Sequence, residues 1–168
     1  MPRSFDMATD YEGNVEQVHR AFLDEQYWLA RLADSGADDA TLNSIRVTPD
    51  GGVEVTTTQV LRADRLPAVV HQFHHGDLEI RRAESWSALV DNQAEAIVSG
   101  SIPGAPVTLT GSAQLTPSEL RAHLAFRATV EVRIPLVGGK VENFIGNQLI
   151  DLLIAEQRFT TTWIAENG

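Results

Sequence analysis

An apolar stripe near the C-terminus limits what this chain can fold into more than any other feature. Val141, Ile145, Leu149, Leu152, Phe159 and Trp163 recur at intervals of three, four or seven, the spacing that gathers side chains on one face of an α-helix. Gly138-Gly139 turns the chain into this helix, which is predicted to run for about 24 residues, roughly 36 Å at the α-helical rise. No other helical pattern in the sequence is half as long. A stripe of that length has to be covered. The one large apolar surface left to cover it is the concave face of a curved β-sheet.

The rest of the chain supplies such a sheet. Residues 4–11 alternate, with Phe5, Met7, Thr9 and Tyr11 on one face, as a half-buried strand does. Gly13-Asn14 ends that pattern, and Asn14 is placed to cap a helix carrying Val15, Val18, Phe22 and Leu23. A second short helix shows Trp28, Leu29 and Leu32 on one side, and Gly36 closes the helical region. From about residue 40 the period becomes two. A strand through Ile45 and Val47 meets the tight-turn signal Asp50-Gly51-Gly52, and residues 53–62 return as its partner.

Further strands are expected near 78–89, 93–102, 106–115 and 119–134, separated by Asp91-Asn92, Pro103-Gly104 and Thr116-Pro117-Ser118. In the last of them Leu120, Ala122, Leu124, Phe126, Ala128, Val130, Val132 and Ile134 all point one way. Gly100 and Gly111 are candidate bend positions in its neighbours. The stretch 66–76 reads as a loop or short helix.

At 168 residues the chain has the length of one domain, and no break in composition divides it. The net charge of −10, with no basic cluster longer than Arg81-Arg82, argues against nucleic acid and anionic membrane surfaces as partners. The absence of cysteine removes disulfides, thiolate nucleophiles and Cys-ligated metals. No apolar run reaches the roughly 18 residues of a membrane span. The first residues lack the basic and apolar regions of a signal peptide. A cytoplasmic location without membrane insertion is the expectation.

The order of strand, two short helices, six antiparallel strands and a long helix resembles the START-like superfamily, an α+β helix-grip fold. That superfamily includes birch-pollen allergens, lipid-transfer START domains and bacterial polyketide cyclases/aromatases. The run Ile134-Pro135-Leu136-Val137-Gly138-Gly139-Lys140-Val141-Glu142 is similar to the strand–turn–helix passage of many bacterial members, closest to an actinobacterial branch. The resemblance spans residues 1–168 as a single domain. It implies a cavity between sheet and helix; periodicity by itself shows only that two apolar faces meet.

Several residues are candidates for lining such a cavity. In the 78–89 strand Leu78, Ile80, Trp86 and Ala88 share a face with Arg82 and Glu84. Two readings of this pair stand: polar handles inside an apolar pocket, or a β-bulge that turns both charges to solvent. On the long helix Gln148 lies near the centre of the inner face beside Leu152, and Glu156 at its edge. Phe126 completes the expected lining from the last strand.

His71, His74 and His75, beside Gln72, Phe73 and Asp77, have a spacing that suits a zinc site or a general base. The stronger reading is solvated histidines at a pocket mouth, since no His-Glu-x-x-His motif accompanies them. The ligand-lining set read from the sequence is therefore Arg82, Glu84, Trp86, Gln148, Leu152, Phe126 and His71, with no metal and no cofactor. No nucleophile elbow, phosphate loop or dinucleotide motif is present. Three functions follow: binding or transport of a hydrophobic small molecule, a cyclase/aromatase-type enzyme using polar cavity residues, or a protein-interaction module with a filled core.

Overall fold

The computed structural model describes residues 2–71, 74–119 and 121–167, the side chain of Val69 excepted. Leu120, Gln72 and Phe73 lie outside these. The elements run β1 (Arg3–Tyr11), α1 (Val15–Phe22), α2 (Glu25–Ala33), β2 (Asp39–Val47) and β3 (Val53–Leu61). After one 3-10 turn (Ala63–Arg65) come α3 (Ala68–His71), β4 (Leu78–Trp86), β5 (Ala94–Ser101), β6 (Val107–Ser118), β7 (Arg121–Val132) and α4 (Gly138–Asn167). The strands form one antiparallel sheet in the order β1-β7-β6-β5-β4-β3-β2. It is an α+β helix-grip arrangement, with α4 packed against β1 and β7 and against α1 and α2.

Local chemistry explains the boundaries. Asn14 and Gln17 form a reciprocal capping box at the start of α1, with bonds of 2.8 and 2.9 Å. Asp24 caps α2 through Gln26 N–H at 2.9 Å. Asp91 and Asn92 both take positive φ in the turn between β4 and β5, as a tight hairpin turn requires. β6 runs through the expected separator to Ser118, and the chain turns at Glu119, φ +56°. Beyond Leu115 it has no paired residue on β5, so Pro117 occupies a free side of the ladder where its missing N–H costs no bond.

One expectation needs correction. The buried face of α2 is Tyr27, Trp28 and Arg31, whereas Leu29 is 43% exposed. A charged residue takes the inward position because carboxylates wait for it there. β5 and β6 keep their register through Gly100 and Gly111; a Cβ at Gly111 would lie 3.0 Å from the ring of Phe126, so this glycine makes room for an inward aromatic. Among the described residues the one register shift falls between Leu42 and Ser44 of β2.

The long helix has 30 residues, about 45 Å at the α-helical rise, because both glycines belong to its first turn and it continues past Trp163. It is buried only near its ends. Val141, Glu142 and Gly146 are buried toward one end, Thr160 and Ile164 toward the other, and no residue from 147 to 159 is buried. Two apolar cores match these contacts. One joins Val141 to Val107, Val130 and Val132. The other joins Ile164 to Tyr11, Val15, Phe22, Trp28 and Trp86.

At Gly146 the helix backbone lies directly against the sheet. A Cβ there would lie 2.1 Å from Cζ of Phe5 on β1. Gly146→Ala should therefore lose about 1–2 kcal/mol through overpacking, although alanine ordinarily favours a helix by about 1 kcal/mol over glycine. In a Phe5→Ala background the same change should become stabilising. Urea denaturation of the four variants reads both signs; a stabilising Gly146→Ala in the native background would contradict this contact.

Candidate functional site

A pocket of about 490 Å³ lies under the unburied span of α4. Its apolar wall comes from Leu78 and Ile80 of β4, Val98 of β5, Leu109 of β6 and Leu124 and Phe126 of β7, facing Ile145, Leu149, Leu152 and Leu153 of the helix. Leu66, Pro67 and Val70, before and within α3, add to the rim. The volume falls within the range typical of small-molecule sites.

One part of the wall is charged. Arg31, Arg82, Glu84 and Glu156 all line the pocket and meet across three elements. Glu156 lies 2.5 Å from an Arg31 Nη and accepts from Arg82 at 3.0 Å. Arg82 also donates to Glu84 at 3.0 Å, whose other oxygen accepts from the Trp86 indole at 3.4 Å. Arg31 Nη2 stands 3.9 Å from Glu84, and its guanidinium lies 4.6 Å over the ring of Trp28, a cation–π contact.

A directed hydrogen-bond chain fixes Arg31 from behind. Thr160 donates its single hydroxyl proton to the Glu156 carbonyl at 2.7 Å. It must then accept from Tyr27 OH at 2.6 Å, and Tyr27 accepts from Arg31 at 3.3 Å.

The electrostatics follow from this pairing. Burial alone would raise the Glu156 carboxyl, but Arg31 and Arg82 outweigh it and hold the group down at about 2. Burial likewise works against charge on Arg31 and Arg82, yet Glu156 and Glu84 keep both above the ordinary arginine value. Tyr11, on the same wall, is pushed up by burial first and then by neighbouring Tyr27, so its hydroxyl stays protonated.

The structure places the residues named from the sequence as follows. Arg82 and Glu84 face inward, their side chains 17% and 10% exposed, and β3–β4 pairing runs without a shift through both. The bulge reading is therefore not what the structure shows. Trp86, Phe126, Leu152 and Gln148 also line the pocket; Gln148 is solvent-accessible. His71 does not join them: it is exposed at the end of α3, and Val70 is the residue of that helix on the pocket wall. His74 hydrogen-bonds the Asp77 carbonyl at 2.8 Å. Among the described residues no group of three His, Cys, Asp or Glu side chains is placed to hold a metal ion.

No sequence pattern marks Arg31, Tyr11, Tyr27 or Thr160 as site residues, and Glu156, at the edge of the helix face by periodicity, is central to the charged cluster. The available signal was Arg31 itself, on the same helical face as Tyr27 and Trp28.

The fold is START-like, the helix-grip class. Fold likeness extends over nearly the whole chain to the Zhui aromatase/cyclase from Streptomyces sp. R1128, with TM-score 0.63, 7% identity, and 99% and 95% of the two chains covered. Norcoclaurine synthase from Thalictrum flavum matches with TM-score 0.58 at 13% identity, over 99% and 88%. At these identities the likeness concerns fold alone. Residues 6–164 match the model of the family described as protein of unknown function (DUF2505), and the chain belongs to that family. The uncharacterized protein Rv0481c of Mycobacterium tuberculosis is 50% identical over 173 residues, 99% of each chain, in keeping with an actinobacterial branch. No described helix is long and apolar enough to cross a membrane.

The charged cluster makes a pH prediction. The folded-state value of Glu156, about 2, lies below its ordinary 4.5. The stability it contributes is therefore complete above pH 4.5 and is lost as pH falls toward 2. Glu156→Gln should cost on the order of 3 kcal/mol at neutral pH and flatten the fall in stability between pH 4.5 and 2. Denaturant midpoints across that window check both; an unchanged pH slope would remove Glu156 from this role.

Proposed function

We propose that this protein binds a hydrophobic small molecule, lipid-like or polyketide-like, between the sheet and α4, the whole chain acting as one START-like domain. The observation that carries this reading is the unburied middle of α4. Leu149, Leu152 and Leu153 line a pocket of about 490 Å³ between helix and sheet, and none of them is fully buried. Apolar surface left open in this way binds apolar ligands by releasing water. Arg82, Glu84, Trp86, Gln148, Leu152 and Phe126 are the proposed contacts, joined by Arg31, Tyr11 and Glu156.

Binding is favoured over cyclase-type catalysis by the direction of the proton affinities. Arg31, Arg82, Tyr11 and Tyr27 are all moved up and Glu156 is moved down. Each shift leads away from neutrality, whereas a general acid or base works best with its value near the working pH. The pocket itself weighs against an interaction module with a filled core.

Leu149→Trp tests the reading by filling the space. A panel of lipids and polyketide-like compounds should raise the melting temperature of the native chain by mass action, and the tryptophan variant should lose that response while melting at or above the native temperature. An undiminished ligand response in the folded variant would place binding elsewhere.

A further inference from the structure

We infer that the pocket selects uncharged amphiphiles, molecules with an apolar body and a neutral oxygen-bearing end, over carboxylates and ammonium ions of the same length. This rests on the binding reading above and specifies the ligand class. The decisive feature is which polar groups on the wall are already engaged. Arg31 gives one nitrogen to Tyr27 and another to Glu156. Arg82 divides its donors between Glu156 and Glu84. Two cations and two anions cancel within the cluster. Arg65, also on the wall, is matched by Asp38 at 3.0 Å.

An entering carboxylate finds no cation without a partner. To claim Arg31 or Arg82 it has to displace Glu84 or Glu156, and it then leaves a carboxylate uncompensated in a half-dry site. An ammonium ion meets the same difficulty with the sign reversed. The neutral groups are the ones left open. Tyr11 is 4% exposed and lines the pocket, yet no described residue hydrogen-bonds its hydroxyl; burial keeps that hydroxyl protonated and ready to donate to a ligand oxygen. Gln148 lines the pocket from the helix side with no described hydrogen-bond partner for its amide. Charges that are paired and neutral donors that are not describe a site for an alcohol, ketone or ester end.

The test compares 1-decanol, decanoate and decylammonium at neutral pH by titration calorimetry, with decane as the apolar reference. Decanol should bind the native protein at least about tenfold more tightly than either ion, the penalty expected for an uncompensated charge. Glu84→Gln leaves the cluster one positive charge in excess, so the gap between decanol and decanoate should close by about tenfold while decylammonium gains nothing. Tyr11→Phe should weaken decanol and leave decane unchanged.

Equal or tighter binding of either ion to the native chain overturns the inference, as does an unaltered gap in a folded Glu84→Gln protein. Should that variant not fold, the native comparison decides alone. Binding of neither decane nor any of the three amphiphiles would overturn the pocket reading itself, and this inference with it.

Discussion

Glu156 holds the C-terminal helix to two other elements at once. Its carboxylate takes hydrogen bonds or ion-pair contacts from Arg31 of α2 and Arg82 of β4, so three segments remote in sequence converge on one side chain. The convergence is stable because none of the four charges stands alone: Glu84 answers Arg82, and Tyr27 and Thr160 brace Arg31. A buried ion pair adds little net stability compared with apolar packing, but losing one partner is costly. What the arrangement confers is position. It sets how far α4 stands from β4, and that distance is the depth of the pocket.

The packing on either side has the same logic. One core secures the helix near Val141, the other near Ile164, and beneath its centre they are joined only by partly buried side chains such as Leu149 and Leu153. At the glycine end Phe5 lies against the helix backbone at Gly146. An interior packed throughout would have buried Leu149 and Leu152 as completely as it buries Val130. The open middle is thus a consequence of where the small residues and the charges sit.

Much of the fold was legible in the sequence because a strand's period of two and a helix's capping residues are local signals. Asn14, the Asp50-Gly51-Gly52 turn and the alternation through β7 each state their structure within a few residues. The inward direction of Arg82 and Glu84 was half legible: alternation put them inside, and what makes burial tolerable lies on other elements. Arg31 was not legible by the same route, since apolar periodicity counts only apolar residues. It drew Leu29 to the inner face of α2 where the structure has Arg31. That choice depends on Glu156, which is 125 positions away in the chain, and no local pattern carries such information. His71 is exposed at the end of α3 while Val70 turns to the pocket wall, a choice that a four-residue helix does not announce in its sequence.

The unburied stretch of α4 has a mechanical consequence. Residues 147–159 form a span of roughly 20 Å supported at both ends, and contain neither glycine nor proline. Only partly packed beneath by Leu149, Leu153 and Phe159 and tied at Glu156 to Arg31 and Arg82, the span is kept straight by its own backbone hydrogen bonds and by good helix formers such as Leu, Glu, Gln and Arg. It is a beam resting on two piers, stiff where a kink would otherwise form. The helix can therefore hold its line across the pocket without a continuous core beneath it.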